Sequence, residues 1–198
     1  MRRTVAAVAV LLVFCGLVAW PAVMEACVGK TLYLGRLPGQ EQEILAELFV
    51  WLVSERTGTS IEVKAFSDSR STHSALEEAK IDVYMESTFV ALRDILGRAD
   101  EAAAGDEARR LVRKEYAERF NLVWLEPWGL EGSADGGASK VAPVVRKDTL
   151  KKFPALSRLV NKMAGVVDDA AMEQLLAESS QAPVRDVTKK FLKQKKLI

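Results

Sequence analysis

The sequence predicts an α/β fold in which a mainly parallel sheet is flanked by helices. Short apolar runs are separated by longer segments whose apolar residues recur at three- and four-residue spacing, which is the pattern of amphipathic helices. Strands joined through helices pair in parallel, because a parallel crossover needs a dozen residues or more. The 172 residues after position 26 suffice for one domain with an ordinary hydrophobic core.

The first half of the chain predicts three strands and the helices between them. Gly35 to Gly39 forms the loop after the first strand. The long helix that follows places Ile44, Leu48 and Leu52 on one face, and Gly58 then provides its stop. The predicted strands are Thr31–Leu34, Ile61–Phe66 and Ile81–Met85, and the predicted helices are Glu41–Arg56 and Thr72–Lys80.

The second half predicts two more strands, with a flexible linker before the second of them. A helix capped at Ser87 runs to about Leu96, and another ends near Phe120. Residues 131–140, EGSADGGASK, carry no large apolar side chain, which is linker composition. Pro143 suits an edge strand or the end of a strand, because proline has no N–H for the sheet. The predicted strands are Leu122–Leu125 and Val141–Val145, and the helices after them are Thr149–Lys152, Pro154–Ala164, Asp168–Glu178 and Val184–Lys195.

Residues 1–26 predict a signal peptide or an N-terminal membrane anchor. Arg2 and Arg3 precede an uncharged run from Thr4 to Met24, the order of a secretory signal. The run is 21 residues long, which also suffices to cross a bilayer as an uncleaved helix. Cys27 lies where a lipoprotein signal places its acylated cysteine. Each reading predicts a domain that is exported to the periplasm or anchored to the outer face of the cytoplasmic membrane.

Composition argues against nucleic-acid binding and against a disulfide-held fold. Without residues 1–26 the chain keeps 26 basic and 26 acidic residues, so it has no net charge to attract a polyanion. Cys15 lies in the leading segment, and Cys27 therefore has no cysteine partner in the remainder. The lysine-rich end, KKFLKQKKLI, is predicted to pack Phe191, Leu192 and Leu197 on the domain, with contact to anionic lipid as the alternative.

No catalytic or metal-binding motif is present in the sequence. The spacings of zinc proteases, phosphate-binding loops and dinucleotide-binding loops are all missing. The single histidine, His73, has no second imidazole or thiolate nearby and is predicted to pack or cap at a helix start. Asp82 and Glu86 lie on and just after a strand, which is weak support for acid and base chemistry. We therefore predict a protein that is not an enzyme and needs no cofactor.

Four blocks of sequence resemble the glycine betaine, choline and carnitine binding proteins of ABC importers, the OpuAC-like family. GRLPGQEQEILAEL from Gly35 is similar to the family's GSKNFTEQxILAEL, and HSALEEAKIDVYMEST from His73 is similar to HEALxxGEIDxYPEYT. FNLVWLEPWGL from Phe120 resembles YxLVWLEPLGF, and Ala142 to Leu175 resembles the C-terminal stretch. The resemblance implies one lobe of a type II periplasmic-binding-protein fold, because EGSADGGASK occupies the place of the family's second lobe.

The resemblance also implies a ligand site, from which several family residues are missing. The cage tyrosine after the family's P-E is Ser87 here, and its loop lysine corresponds to Leu37. Aromatic faces hold quaternary ammonium groups by cation–π attraction, so these changes alter the cage. Open α/β sheets bind ligands at the carboxyl ends of their strands. The predicted ligand-binding residues are Arg36, Gln40, Glu41, Ser69, Tyr84, Glu86 and Ser87.

Two functions remain open from the sequence. The first is an exported substrate-binding component that takes a quaternary amine or amino-acid-like solute, with an ABC permease or a second-lobe chain as partner. The second is a one-lobed envelope module that docks on another protein without transporting a ligand. Exposed apolar side chains at Leu37, Trp128 and Leu130 would favour the second function. Trp124 is expected in the core, and Trp128 is left open between the core and a replacement ring of the site.

Overall fold

Within residues 30–98, 105–131 and 139–198, five strands form one sheet with helices on both faces. The structure is a computed structural model, and it describes residues 30–98, 105–131 and 139–198. The expectations for residues 1–26 and for Cys27 therefore lie outside the described residues. The strands are β1 (Thr31–Arg36), β2 (Ser60–Ala65), β3 (Val83–Ser87), β4 (Leu122–Trp124) and β5 (Val141–Arg146).

The helices follow the predicted order along the chain. A π-helix, Ala91–Ile95, continues directly from α3, and a 3-10 turn, Asn161–Met163, continues from α6. No helix in the three described ranges is long and apolar enough to span a bilayer. The helices are α1 (Gln40–Thr57), α2 (Ser69–Glu77), α3 (Thr88–Val90), α4 (Asp106–Arg119), α5 (Lys147–Lys152), α6 (Leu156–Val160), α7 (Asp169–Ser179) and α8 (Val184–Gln194).

The strand order is β2-β1-β3-β5-β4, which confirms the α/β class. β1 pairs in parallel with both β2 and β3, as the helical crossovers predict. β5 is antiparallel to β3 and to β4, so four strands share one direction and β5 opposes them. The order changes direction at β1: the chain first places β2 on one side of β1 and then places β3 on the other side.

Local signals set the ends of the longest helix. α1 begins after Gly39, whose φ of 106° is a conformation that favours glycine. It ends at Gly58, where a left-handed φ of 68° lets the glycine N–H donate to the Ser54 carbonyl at 2.8 Å. The predicted stop at Gly58 is thus confirmed.

The boundaries of α2 and β3 are displaced from the predicted ones by three and two residues. α2 begins at Ser69 rather than at Thr72, because the Asp68 side chain accepts a hydrogen bond from the Ser71 N–H and caps the helix earlier. β3 covers Val83–Ser87 rather than Ile81–Met85. The earlier residue Asp82 instead accepts from the Tyr33 N–H and from the Thr149 hydroxyl, which joins β1 to α5.

The expectation that Pro143 marks a sheet edge is wrong, because β5 lies between β3 and β4. The Pro143 carbonyl accepts from the Leu125 N–H at 2.9 Å, just beyond the last residue of β4. A strand residue directs its nitrogen and its carbonyl to the same neighbour. The missing N–H of the proline therefore faces the point where the ladder to β4 ends, and its loss costs little.

One side of the sheet, which we call the apolar face, is covered by α1 and by α6 to α8. Side chains without polar groups dominate its core, and Leu34, Leu48 and Phe49 are fully buried there. α8 packs Phe191 and Leu192 into the same core, which confirms the predicted packing of the lysine-rich end. Trp128 and Leu130 also belong to this core.

The other side, which we call the aromatic face, is covered by α2, the π-helix and α4. Its core contains Tyr84, Tyr116 and Trp124 together with small and aliphatic residues. The rings of Tyr116 and Trp124 meet edge to face with centroids 5.5 Å apart. Trp124 is 2% exposed, so its predicted core position is confirmed.

The predicted linker begins and ends at a pair of neighbouring residues. Glu131 and Lys140 form an antiparallel bridge, and the Lys140 ammonium pairs with the Glu131 carboxylate. Beside this pair, the backbone N–H of Trp128 donates to the Val141 carbonyl at 3.1 Å, and the backbone N–H of Val141 donates to the Leu130 carbonyl at 3.1 Å. The chain that leaves β4 thus returns beside itself to start β5. Residues 132–138, between the paired ends, lie outside the described residues.

Candidate functional site

The carboxyl ends of β1, β2 and β3 lie at one edge of the sheet, which we call the strand-end face. Gly35 is in register with Tyr84, and Arg36 with Ala65, so the chain leaves these strands side by side. From this edge the chain enters α1 on the apolar face and α2 on the aromatic face. An open sheet forms its crevice between such diverging connections. The geometry places a candidate site between the β1 and β3 ends.

Polar side chains from three connections come to this face. Arg36 ends β1, and Gln40 and Glu41 open α1. Ser69 opens α2, and Ser87 ends β3. Gln40 is exposed, while the other four are partly exposed. Five of the seven predicted ligand-binding residues are therefore gathered at one edge with some access to solvent.

The last two residues of the predicted linker hold the helix start at Ser87. The amides of residues 88–90 donate in turn to the Lys140 carbonyl at 3.1 Å, the Ser139 hydroxyl at 3.0 Å and the Ser87 hydroxyl at 3.2 Å. Ser139 is 3% exposed, so this contact is well shielded from water. The amides at the β3 end are occupied within the chain, and a ligand there would meet side chains instead.

The other two predicted residues, Tyr84 and Glu86, lie below the strand-end face. Both are at most 1% exposed and point to the aromatic face. The Tyr84 hydroxyl donates to Glu86 Oε2, and the Tyr116 hydroxyl donates to the same oxygen at 3.1 Å. His73 Nδ1 lies 3.3 Å from the Tyr84 hydroxyl. We call His73, Tyr84, Glu86 and Tyr116 the buried polar cluster.

Burial shifts the titration of the buried polar cluster. It raises the pKa of Glu86 to about 8, although hydrogen bonds from Tyr84, Tyr116 and Ser69 act in the opposite direction. It also lowers the pKa of His73 to about 4. The pKa values of Tyr84 and Tyr116 are raised, first by burial and then by the Glu86 charge. At neutral pH the cluster therefore holds a neutral imidazole, two phenols and a largely protonated carboxyl group.

The predicted packing role of His73 agrees with its position. The residue is 4% exposed within α2, and its ring meets Tyr116 at 5.2 Å and Phe120 at 4.7 Å, both edge to face. Its Nε2 lies 3.6 Å from the Glu77 carboxylate, which is too long for a hydrogen bond. No metal-binding group of histidine, cysteine and acidic residues occurs within residues 30–98, 105–131 and 139–198.

Sequence reasoning did not single out Tyr116 or Ser139. Tyr116 lies in a charged helix, DEARRLVRKEYAER, and only its spacing from Val112 signals the buried side. Ser139 lies in the low-complexity linker, where nothing in the local sequence marks it as a capping residue. Both residues reach the site through contacts that are 30 and 50 positions long in sequence.

A shallow groove of about 490 Å³ lies on another part of the surface, between α7 and α8. Its lining includes Ala177, Ala182 and Val187, with the charged groups of Glu178 and Lys190 at its side. None of these residues belongs to the strand-end face. The groove and the candidate site are therefore separate features.

A family model matches most of the chain that the structure describes. The model described as the substrate binding domain of an ABC-type glycine betaine transport system matches residues 30–135 and 132–194. The match is in two parts, which meet inside the predicted linker. No curated protein sequence matches the chain.

Solved structures show the same fold at low identity. The crystal structure of a glycine betaine/carnitine/choline ABC transporter protein is 12% identical with a TM-score of 0.74, and the match covers 85% of this chain and 98% of that chain. Apo YehZ from Escherichia coli is 14% identical with a TM-score of 0.74, and the match covers 85% and 99%. Lactococcal OpuAC, closed on glycine betaine, is 11% identical with a TM-score of 0.52, and the match covers 85% and 98%.

The family comprises substrate-binding domains and not enzymes, which agrees with the missing catalytic motifs. Its model matches the sequence from β1 to the end of α8, including every strand of the sheet. The chain belongs to the OpuAC family of substrate-binding domains of ABC-type transport systems.

Proposed function

We propose that this protein is the exported substrate-binding component of an ABC-type transport system for quaternary amines and binds a small solute at the strand-end face. The observation that carries the proposal is the family match together with five polar side chains at the carboxyl ends of β1, β2 and β3. The solute is a quaternary amine or an amino-acid-like zwitterion.

The charges at the strand-end face fit a zwitterion. The Arg36 guanidinium suits a solute carboxylate, because it donates two parallel hydrogen bonds, and the Glu41 carboxylate suits the cationic end. Gln40, Ser69 and Ser87 supply further polar contacts. Tyr84 and Glu86 lie beneath the face and act through Ser69, which lowers the pKa of the Glu86 carboxyl group.

The site of this protein is built on one lobe. Residues 131–140 take the place of a second lobe, which the split family match and the Glu131–Lys140 pair both support. A permease or a second-lobe chain then completes the crevice. Export by residues 1–26, as a cleaved signal, an uncleaved anchor or through lipidation at Cys27, places the lobe at the outer face of the cytoplasmic membrane or in the periplasm.

The envelope interaction module loses the observation that favoured it. Trp128 and Leu130 are 0% and 4% exposed and belong to the apolar face, and Leu37 is only partly exposed. Two of the three side chains that would favour docking on another protein are therefore buried in the core.

Titration calorimetry with glycine betaine, choline and carnitine tests the proposed function. We expect measurable heat for at least one solute, and a Kd at least tenfold weaker in Arg36→Ala. Arg158→Ala, which removes the same charge from an exposed position on α6, serves as the control and should bind as the parent chain does. No heat with any solute, for monomer or dimer, would refute the proposal.

The mass of the protein recovered from the envelope of an expressing cell tests the export route. Loss of residues 1–26 indicates cleavage, and a diacylglycerol mass added at Cys27 indicates lipidation. A full-length chain in the membrane fraction indicates an anchor. Recovery in the cytoplasmic fraction alone would contradict export.

A further inference from the structure

The Glu86 carboxyl group is buried beneath the strand-end face. The residue is 1% exposed, and both phenolic donors, from Tyr84 and Tyr116, go to Oε2. Oε1 is buried and has no hydrogen-bond partner among the described residues. A carboxylate charge spread over both oxygens is therefore solvated on one side only, which makes the ionised form costly.

The charged and titratable groups around Glu86 do not compensate for that burial. α2 contributes Ser69 and His73, with Glu77 behind the histidine, and α4 contributes Tyr116. The π-helix contributes Asp94, whose charge disfavours ionisation of Glu86. No lysine or arginine forms an ion pair with Glu86 in the part of the chain that the structure describes. The neutral acid is thus the favoured form near neutral pH.

A row of polar side chains leads from this carboxyl group toward the surface, without a hydrogen bond at its last step. The Tyr84 hydroxyl donates to Glu86, so a neutral His73 uses Nδ1–H for its 3.3 Å contact with the Tyr84 oxygen. His73 Nε2 then lies 3.6 Å from the carboxylate of Glu77, whose side chain is 41% exposed. The proton on Glu86 is therefore separated from solvent by two side chains.

Glu86 is also joined to two residues of the strand-end face. Ser69, at the start of α2, is near enough to Glu86 to lower the pKa of its carboxyl group, and Ser87 follows Glu86 in β3 and caps α3. A negative charge on Glu86 would attract hydroxyl donors and repel the Asp94 carboxylate.

We propose that Glu86 is a proton-binding site that keeps its proton near neutral pH and, on losing it to water at alkaline pH, rearranges the strand-end face through Ser69 and Ser87. In this step the O–H bond of the carboxyl group breaks, the proton goes to solvent and the negative charge stays on Glu86. The effect on solute binding rests on the proposed function, whereas the proton site does not.

Carbon-detected NMR on the full chain tests the proposal without any solute. The carboxyl carbon of Glu86 and the amides of Ser69 and Ser87 are followed from pH 6.5 to well above pH 8. We expect the carboxyl signal to move with a midpoint near pH 8, and the two amides to move with the same midpoint. The amide movement should vanish in Glu86→Gln and persist in Glu62→Gln, which makes the same change at an exposed residue of β2.

Three results would overturn the proposal. The Glu86 carboxyl could already be ionised at pH 6.5, the two amides could stay still while it titrates, or their movement could survive in Glu86→Gln. If Glu86→Gln does not fold, Tyr116→Phe provides the second test. Removing a donor to the charged form should raise the midpoint, and an unchanged midpoint would contradict the assignment.

Calorimetry at pH 6.5 and above pH 8 separates this proposal from the proposed function. A solute affinity that changes between the two values in the parent chain, but not in Glu86→Gln, supports the coupling. If no solute binds at either pH while Glu86 still titrates, the proposed function fails and the proton site stands.

Discussion

The two faces of the sheet are stabilised in different ways. The apolar face is a continuous core of aliphatic and aromatic side chains from α1 and from α6 to α8. The aromatic face contains a carboxyl group, two phenols and an imidazole inside an otherwise apolar core. The apolar face gains free energy from burial alone, while the aromatic face must also satisfy its polar atoms. We therefore expect the packing of α1 and of α6 to α8 to supply most of the stability, and the aromatic face to make that stability depend on pH.

The largest expected effect is on the apolar face. Phe49 is fully buried between α1 and the sheet, so Phe49→Ala should lower the free energy of unfolding by about 3 to 5 kcal/mol through lost burial and the cavity left behind. Urea unfolding at neutral pH measures it, with Phe49→Leu as a milder control. A loss under about 1 kcal/mol would show that this core is loosely packed.

The second effect is a pH dependence that arises on the aromatic face. The folded chain keeps the Glu86 proton up to about pH 8, while an unfolded chain releases it near pH 4.5, so stability falls as pH rises through this window. His73, with a pKa of about 4 when folded and 6.5 when unfolded, acts in the opposite sense near and below pH 6.5. From pH 6.5 to 8 the expected net loss is therefore about 1 kcal/mol, since Glu86 is half ionised at pH 8 and His73 offsets part of its effect.

Unfolding by urea at pH 6.5 and pH 8 checks this value. Glu86→Gln should flatten the profile over that interval, because the amide does not titrate. An equal slope in the parent chain and the variant would assign the pH dependence to other groups.

The third effect concerns a single hydrogen bond of the aromatic face. Tyr116→Phe removes the hydroxyl that lies 3.1 Å from Glu86, and at pH 6.5 it should cost about 1 kcal/mol. The cost should be larger above pH 8, where the bond is made to a charged acceptor. Tyr33→Phe is the matched control, since Tyr33 is only partly buried. If both variants lost the same free energy of unfolding, the hydrogen bond from Tyr116 to Glu86 would not contribute more than an ordinary tyrosine hydroxyl.

The smallest effect lies at the outer rim of the apolar face. Lys189 places its ammonium 3.8 Å from the centre of the Trp51 ring and pairs with Glu55 at 3.0 Å, so it ties α8 to α1. Lys189→Ala should reduce the free energy of unfolding by about 0.5 to 1 kcal/mol, which lowers the melting temperature slightly. Lys193→Ala, at an exposed position on the same helix, should change little. Thermal unfolding of the two variants at low salt makes the comparison.

The order of strands and helices could be predicted from the sequence, because each element carries its own periodicity and its own stop. Gly58 ends α1 and Asp168 caps α7 through contacts within a few residues. Boundaries that depend on distant partners were less accurate. β3 begins late because Asp82 bonds to Tyr33 and Thr149, and these bonds cannot be read from the local sequence.

The sequence predicts which of the candidate residues share one edge of the sheet, but not how deeply each of them is buried. Arg36, Gln40, Glu41, Ser69 and Ser87 lie at the strand-end face because strands of the same direction end at the same edge. Tyr84 and Glu86 alternate on β3 and therefore share a face, which the sequence also implies. That this face is covered by α4, and that Trp128 turns into the opposite core, depends on packing across the sheet.

By itself the sequence determined the α/β class, the family and the polar residues at the strand ends, since these follow from periodicity and from local motifs. Only the tertiary structure decided that Glu86 is buried against Tyr84, Tyr116 and His73, and that Ser139 closes the helix start at Ser87. The physical reason is that burial and hydrogen-bond partnership arise between segments far apart in the chain. The sequence predicts Glu86 as a ligand-binding residue. Because of those contacts it is instead a buried acid that is largely neutral near pH 7.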